Sequence, residues 1–128
     1  MKFRYAILYV NDVTASLNFF EKAFGCTTKM LHESRTYGEL DTGTTILALA
    51  SRKSMARPGT SPSNPDPARP VFEIAFETDD VQAGIARAIA AGARLQRKPK
   101  KMPWGQTIAY VSDPDGFLIE ICTAVQYR

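Results

Sequence analysis

A single carboxylate interrupts an apolar, strand-like segment near the C-terminal end of the sequence. The turn sequence Asp113-Pro114-Asp115-Gly116 leads directly into residues 117–121, in which Glu120 is the one charged side chain. Proline presets one dihedral of such a turn, and glycine can adopt the positive φ that ends it. An acid in a buried strand must be accounted for, because an unpaired buried charge is costly. Glu120 therefore either lines a cavity or is paired inside the core.

Glu73 is the second carboxylate whose position suggests chemistry. If Glu73 and Glu120 face one cavity, one carboxyl group can keep its proton while the other is charged. Such a pair suits proton transfer next to a carbonyl, with Tyr5 or Tyr9 donating a hydrogen bond to the oxygen. It equally suits recognition of a cationic or amine-bearing ligand. Alternatively, the two carboxylates are purely structural: Glu73 pairs with a basic residue, and Glu120 accepts a hydrogen bond from Tyr5.

The composition indicates one soluble globular domain. The chain has 128 residues, 45% apolar and 23% charged, which is enough to bury a core. The net charge of +3 does not favour nucleic-acid binding, and the basic residues of segment 94–101 lack interleaved aromatic side chains. That segment is interpreted as a solvated strand end, with an anion-binding rim as the alternative. No apolar run has membrane-spanning length and no signal-peptide pattern is present, so a cytoplasmic location is expected.

Few residues suggest thiol or imidazole chemistry. Cys26 and Cys122 are the only cysteines, and neither has a CxxC partner. We expect both to be reduced thiols, since a chain of this length needs no disulfide. His32 is the only histidine. It stands at a predicted strand end beside Glu33, where a surface position is expected.

The elements of the first half follow from periodicity. Residues 3–10 alternate as a strand. Asp12 is a good helix N-cap, the apolar residues Val13 and Leu17 begin a stripe at helical spacing, and Gly25 is a natural helix end. Three strands follow, at residues 27–33, 36–41 and 44–50. Residues 52–70 are rich in proline and are interpreted as a tether between two halves, with a flap over a pocket as the alternative.

The second half repeats this order of elements. A strand over residues 71–78 is followed by a helix capped by Asp80, with an apolar stripe that includes Val81, Ile85 and Ile89 and an end at Gly92. Strands at residues 93–98 and 106–112 precede the final strand after the Asp-Pro-Asp-Gly turn. The sequence therefore predicts an α+β fold of two tandem βαβββ modules, 1–51 and 71–128, joined by the linker 52–70 within one domain. Two such modules can form a half-barrel around a cavity.

Alternation within the strands assigns the side chains that face this cavity. Tyr5, Ala48, Glu73 and Glu120 occupy equivalent inner positions of the two repeats. Their neighbours on the same faces complete the predicted ligand-binding set, together with Trp104 and Tyr110, which flank the last strands as an aromatic wall or as ordinary packing. The set is Tyr5, Ile7, Tyr9, Ala48, Glu73, Ala75, Trp104, Tyr110, Leu118 and Glu120. The predicted catalytic residues are Glu73, Glu120 and Tyr5.

The sequence resembles the vicinal oxygen chelate superfamily, which includes glyoxalase I, extradiol dioxygenases, fosfomycin resistance enzymes and bleomycin-binding proteins. Segments 6–12, 16–20, 76–80 and 113–120 carry the resemblance, which extends over nearly the whole chain apart from the proline-rich linker. The resemblance is a specific indicator of the fold and a weak indicator of the activity, because members of the superfamily catalyse many different reactions. The resemblance also implies a homodimer.

Metal-dependent members of that superfamily hold a divalent metal at the four inner positions with His or Gln, Glu or His, His, and Glu. Here the corresponding residues are Tyr5, Ala48, Glu73 and Glu120, so only Glu120 matches. Zn²⁺, Ni²⁺ and Fe²⁺ prefer imidazole donors, whereas two carboxylates alone would hold Mg²⁺ or Mn²⁺ weakly. We therefore expect no cofactor, with a divalent metal at Glu73 and Glu120 as the disfavoured alternative.

Two functions are consistent with these residues. The first is metal-free binding or sequestration of a small molecule, as in bleomycin resistance proteins, although a net positive charge opposes a strongly cationic drug. The second is a glyoxalase- or isomerase-type enzyme that uses Glu73 and Glu120 as acid and base or as weak metal ligands. A small-molecule partner is expected in both cases, and neither nucleic acid nor a membrane is.

Overall fold

The computed structural model describes residues 1–126. The chain divides into two compact units, residues 1–64 and 65–128, so the division falls inside the segment predicted as a linker. Within the described residues, the helices are too short and too polar to cross a membrane.

The first unit is a four-stranded sheet with one long helix. Its elements are β1 (Tyr5–Val10), α1 (Val13–Phe24), β2 (Thr27–Leu31), β3 (Tyr37–Asp41), β4 (Ile46–Ser51) and the one-turn helix α2 (Arg52–Met55). The strand order is β1-β4-β3-β2. β1 runs parallel to β4, and the other neighbours are antiparallel.

Helix α1 begins and ends where its capping residues predict. The Asp12 side chain accepts a hydrogen bond of 3.0 Å from the backbone N–H of Ala15, and Gly25 ends the helix with φ 70°. Leu17 and Phe20 are buried on the inner side of the helix. A Cβ atom on Gly38 would lie 2.9 Å from Cδ1 of Leu17, so α1 covers one face of β3 and leaves the other face uncovered by this helix.

The second unit has the same architecture. Its elements are β5 (Ile74–Glu77), α3 (Val81–Ala90), β6 (Arg94–Lys101), β7 (Thr107–Ser112) and β8 (Leu118–Cys122). The strand order β5-β8-β7-β6 repeats that of the first unit, again with one parallel pair, β5 and β8. The predicted α+β fold of two βαβββ modules is therefore confirmed.

Three local predictions differ from the structure. The strand predicted at 71–78 begins only at Ile74, and Val71 is fully exposed. Ile89 is 45% exposed. The buried stripe of the helix consists of Val81, Ile85 and Ala88, and a rotation of 100° per residue places Ile89 well away from the centre of that stripe. The predicted linker is also partly structured, with α2 at its start.

Candidate functional site

A continuous row of paired residues crosses the sheet of the second unit. Arg97 on β6 pairs with Tyr110 on β7, Tyr110 pairs with Glu120 on β8, and Glu120 pairs with Ala75 on β5. Side chains of directly paired residues lie on the same face of a sheet. The row therefore places a guanidinium, a phenol and a carboxyl group side by side.

Helix α3 occupies the opposite face of this sheet. A Cβ atom on Gly84 in α3 would lie 3.2 Å from Cγ2 of Ile121, and Ile121 follows Glu120 on β8. Because successive side chains of a strand alternate between faces, the row that contains Glu120 points away from the helix. Glu120 is thus half-buried on the face of the sheet that the helix leaves uncovered.

Glu73, Tyr110 and Glu120 form an electrostatically coupled cluster. Burial raises the pKa of Glu120, and the charge of Glu73, which is within hydrogen-bonding reach, raises it further. Burial also raises the pKa of Tyr110, and the charges of Glu73 and then Glu120 add to this effect. Two carboxyl groups this close favour a state in which one proton stays on the pair. The cluster therefore holds a proton more readily than an isolated glutamate does.

A cavity of about 370 Å³ opens beside this cluster. Glu73 and Tyr110 line it with polar atoms, and Leu118 contributes an apolar surface. The rest of the lining combines the edge strand β6 with the last part of the proline-rich segment: Pro67, Ala68, Pro70, Gln96 and Arg97. Its volume is in the range of small-molecule sites in proteins.

Cys122 ends the same strand as Glu120 but offers little reactivity. The side chain is buried, and its Sγ donates a weak hydrogen bond of 3.7 Å to the carbonyl oxygen of Phe76. Burial and the charges of Glu120 and Glu77 raise the pKa of this thiol. Because the thiolate is the reactive form, Cys122 is a structural residue of the site.

The uncovered face of the first unit has its own polar pair. The Tyr37 hydroxyl donates a hydrogen bond of 2.7 Å to Oε2 of Glu39. Burial, followed by this hydrogen bond, raises the pKa of Tyr37. Tyr37 pairs with Ala50 and Glu39 pairs with Ala48, so both polar side chains stand beside small residues on β4.

The strand pairings show which positions of the two units correspond. In the first unit Ile7 on β1 pairs with Ala48 on β4, and in the second unit Ala75 on β5 pairs with Glu120 on β8. Because these two parallel pairs correspond, Ala48 occupies the position of Glu120. By the same rule Glu39, which pairs with Ala48, corresponds to Tyr110, which pairs with Glu120. The duplicated fold therefore has different side chains at equivalent positions.

The predicted site residues fall into three groups. Glu73, Tyr110 and Leu118 line the cavity of the second unit. Glu120 is coupled to Glu73 beside it, and Ala75 is paired with Glu120. Four others lie on the sheet of the first unit: Tyr5, Ile7, Tyr9 and Ala48. Trp104 lies in the turn between β6 and β7, is 56% exposed and donates a hydrogen bond to Oε1 of Gln106 at 2.9 Å. The roles of all these residues in binding or catalysis stay predictions.

Sequence reasoning missed several residues that the structure brings to these sites. Arg97 lines the cavity; the sequence favours a solvated strand end for its segment, with an anion-binding rim only as the alternative. Pro67 and Pro70 also line the cavity, in a segment for which the sequence favours a tether and offers a flap over a pocket only as the alternative. Tyr37 and Glu39 could have been found, since alternation along residues 36–41 places both on one face.

The metal site that the resemblance implies does not fit the side chains of this chain. Ala48 has no donor atom, and Tyr5 and Glu73 stand at two positions where the resemblance implies His or Gln and His. Over residues 1–126, His, Cys, Asp and Glu side chains form no group of three or more that could hold a metal ion. The second unit offers two carboxylates without imidazole, a donor set unsuited to the transition metals.

The chain belongs to the Glyoxalase/Bleomycin resistance protein/Dioxygenase superfamily, whose family model matches residues 2–121. It is similar to an uncharacterized protein of Bacillus subtilis (strain 168), YraH, with 30% identity over 124 residues, 94% of this chain and 97% of that protein.

Among solved structures, the fold is similar to that of a glyoxalase-related enzyme from Fulvimarina pelagi. The TM-score is 0.83 at 21% identity, over 97% of this chain and 88% of that one. A glyoxalase/bleomycin resistance protein/dioxygenase family enzyme from Burkholderia phytofirmans PsJN has a TM-score of 0.78 at 21% identity, over 98% of this chain and 100% of that one. At this identity the likeness shows the fold alone.

Proposed function

We propose that this protein binds a small organic molecule in the cavity of the second unit without a transition metal. The observation that carries the proposal is the cluster of Glu73, Tyr110 and Glu120 beside a cavity of about 370 Å³. Cavities that combine apolar walls with a few convergent polar groups of perturbed pKa are the usual binding sites of small molecules. The finer form of the proposal is sequestration of the bleomycin-resistance type.

The chemistry of the donors supports binding that does not depend on a transition metal. The cluster beside the cavity offers two carboxyl groups and a phenol, whereas a transition metal prefers imidazole or thiolate.

The proposal is tested by metal analysis followed by a ligand screen. Protein purified without chelators is analysed by inductively coupled plasma mass spectrometry, and we expect substoichiometric Zn, Ni, Fe and Mn. The same protein is then screened against a library of small metabolites and antibiotics by native mass spectrometry. At least one class of compound should bind at one molecule per cavity.

Matched variants locate the binding site. Glu73→Gln and Glu120→Gln should each weaken binding of a hit about tenfold or more, since Glu73 lines the cavity and Glu120 is electrostatically coupled to Glu73. Glu33→Gln is the control, because Glu33 is an exposed carboxylate in the first unit. A tightly held stoichiometric transition metal would contradict the metal-free mode, and equal affinity in all three variants would contradict the site.

A second candidate function, proton transfer next to a carbonyl, is favoured by one observation. The raised pKa of Glu120 beside Glu73 supplies an acid and a base, and Tyr110 offers a hydrogen-bond donor for the carbonyl oxygen. A panel of α-keto aldehydes, α-keto acids and epoxides is assayed by NMR in deuterium oxide. Incorporation of deuterium next to the carbonyl, lost in Glu73→Gln or Glu120→Gln, would favour the enzyme; bound but unchanged ligand would favour the binder.

The homodimer and the cytoplasmic location expected from the sequence belong to this proposal as well. Sedimentation equilibrium measures the first, and fractionation of the producing cells measures the second. A monomer at all concentrations tested would contradict the expected dimer without affecting the cavity of the second unit.

A further inference from the structure

We infer that the ligand of this cavity is a small zwitterion, with a cationic group bound at Glu73 and an anionic group bound at Arg97. The inference rests on the proposed binding function and specifies the class of ligand. It is carried by the placement of two opposite charges on the walls of one cavity, with the phenol of Tyr110 between them.

The sheet fixes the order of these groups. Arg97, Tyr110 and Glu120 are paired across three adjacent strands, so the Cα atoms of Arg97 and Glu120 are roughly 10 Å apart, two spacings between strands. Glu73 comes two residues before Ala75, which pairs with Glu120 on the fourth strand. Arg97 therefore stands at one end of this row, and Glu73 lies two residues before Ala75, which forms its other end.

The two charges do not neutralise each other. Within residues 1–126 no ion pair joins Arg97 to Glu73, and both side chains are solvent-exposed. Each acts on the same phenol, because the Glu73 charge raises the pKa of Tyr110 and the Arg97 charge lowers it. A ligand that carries both signs of charge can satisfy both walls at once, whereas an ammonium or a carboxylate alone leaves one wall unpaired.

The remaining lining suits a short, flexible body between the two charged ends. Leu118, Pro67, Ala68 and Pro70 supply apolar surface, and Gln96 stands next to Arg97 on β6. Arginine binds carboxylate, phosphonate or sulfonate groups through its planar fork. The anionic end of the ligand therefore has oxygens, and the cationic end is an amine or a guanidine that hydrogen-bonds to Glu73.

Three probes with the same carbon chain test the inference: ε-aminocaproate, hexylamine and caproate. Each is titrated into ¹⁵N-labelled protein, and dissociation constants are obtained from the chemical shifts of the amides of Tyr110 and Leu118. We expect ε-aminocaproate to bind about two- to fivefold more tightly than either singly charged probe, since one added charge pair contributes a modest increment at an exposed site.

Charge-neutral variants assign each end of the probe. Arg97→Gln should remove the advantage of ε-aminocaproate over hexylamine, and Glu73→Gln should remove its advantage over caproate. Lys98→Gln is the control, because Lys98 is a neighbouring exposed cation outside the cavity lining. The NMR spectrum of each variant shows directly that it is folded.

The outcomes separate this inference from the function on which it rests. If hexylamine binds as tightly as ε-aminocaproate and Glu73→Gln weakens its binding, the inference of a zwitterionic ligand is wrong. The proposed binding at the carboxyl pair is then retained. If Arg97→Gln and Lys98→Gln reduce affinity equally, the effect is one of general charge and the inference is overturned. Absence of shifts at the lining residues with all three probes would also overturn it, while the library screen would decide the binding function itself.

Discussion

A Cβ atom on Gly116 would lie 2.7 Å from the carbonyl oxygen of Pro65. The Asp-Pro-Asp-Gly turn before β8 is therefore in contact with the end of the proline-rich segment. That segment continues directly into Pro67, Ala68 and Pro70, which line the cavity of the second unit. A glycine in the turn is thus what allows the cavity wall to approach the sheet.

Gly116→Ala should lower the free energy of unfolding by about 3 kcal/mol. Two causes act together, since Gly116 has φ 109°, which strains any other residue, and the added methyl group would meet backbone that cannot rotate away. Urea denaturation measures the change.

Gly105→Ala separates the two causes. Gly105 has φ 99° and no heavy atom within 4 Å of an added Cβ, so its substitution introduces the strain without the collision. We expect a smaller loss, about 1–2 kcal/mol. Equal losses in the two variants would show that the contact with Pro65 adds nothing.

Glu73→Gln should lower the pKa of both Glu120 and Tyr110. The negative charge of Glu73 raises each of these values after burial, and the amide removes that charge while keeping the shape of the side chain. A pH titration followed by ¹³C NMR of the Glu120 carboxyl carbon and the Tyr110 ring measures both shifts.

Glu77→Gln is the matched control, four residues after Glu73 at the end of β5. Glu77 raises the pKa of Cys122 and is not among the groups that act on Glu120, so its variant should change the thiol and leave the Glu120 titration in place. A Glu120 titration that is identical in the wild type and in Glu73→Gln would show that the two carboxyl groups are not coupled.

Tyr37→Phe should destabilise the protein by about 1 kcal/mol, because it removes the half-buried hydrogen bond to Glu39. Tyr9→Phe removes a hydroxyl group from strand β1 of the same sheet and serves as the control. Thermal and urea denaturation compare the two variants. A loss that is no larger in Tyr37→Phe would mean that water replaces the hydrogen bond at no cost.

The stability of the wild type relative to the Asp113→Asn variant should fall as the pH rises. Oδ1 of Asp113 accepts hydrogen bonds from the backbone N–H groups of Gly116 and Phe117, whereas Oδ2 is buried and, among the described residues, has no partner. Burial raises the pKa of Asp113 from 3.8 to about 6. The folded state therefore holds this proton more tightly than the unfolded chain does.

The sign of the effect follows from that difference. The stabilisation by the bound proton is complete below pH 3.8 and is lost as the pH rises through about 6, for a total of up to about 3 kcal/mol. Asparagine cannot ionise, so the wild type should lose stability relative to Asp113→Asn over this interval and then remain constant. Urea denaturation at a series of pH values measures the difference, and a difference independent of pH would contradict the prediction.

Much of the architecture was accessible from the sequence because it rests on local signals. Asp12 and Gly25 mark the ends of α1 through capping, which acts within one turn of the helix. The prediction of a stripe through Ile89 was wrong at that residue, since a short helix buries only the centre of its stripe. The strand start at residue 71 was also wrong, because apolar side chains before Ile74 do not by themselves form a ladder.

The candidate site was accessible only in part. Alternation predicted that Glu73 and Glu120 share a face, because side chains of a strand point to opposite sides in turn. It could not give the register between strands, which depends on hydrogen bonds between distant segments. The neighbours of Glu120 across the sheet, Tyr110 and Arg97, followed from that register alone.

The sequence by itself determined the duplicated βαβββ order and the absence of the usual histidines from the inner positions, since both are properties of residue type and spacing. Tertiary structure decided that a proline-rich segment without periodicity forms a cavity wall. It also decided that Arg97, one of several exposed basic residues on β6, shares that cavity with Glu73. Both outcomes depend on which segments the folded chain brings together, and residue types along a strand do not encode that.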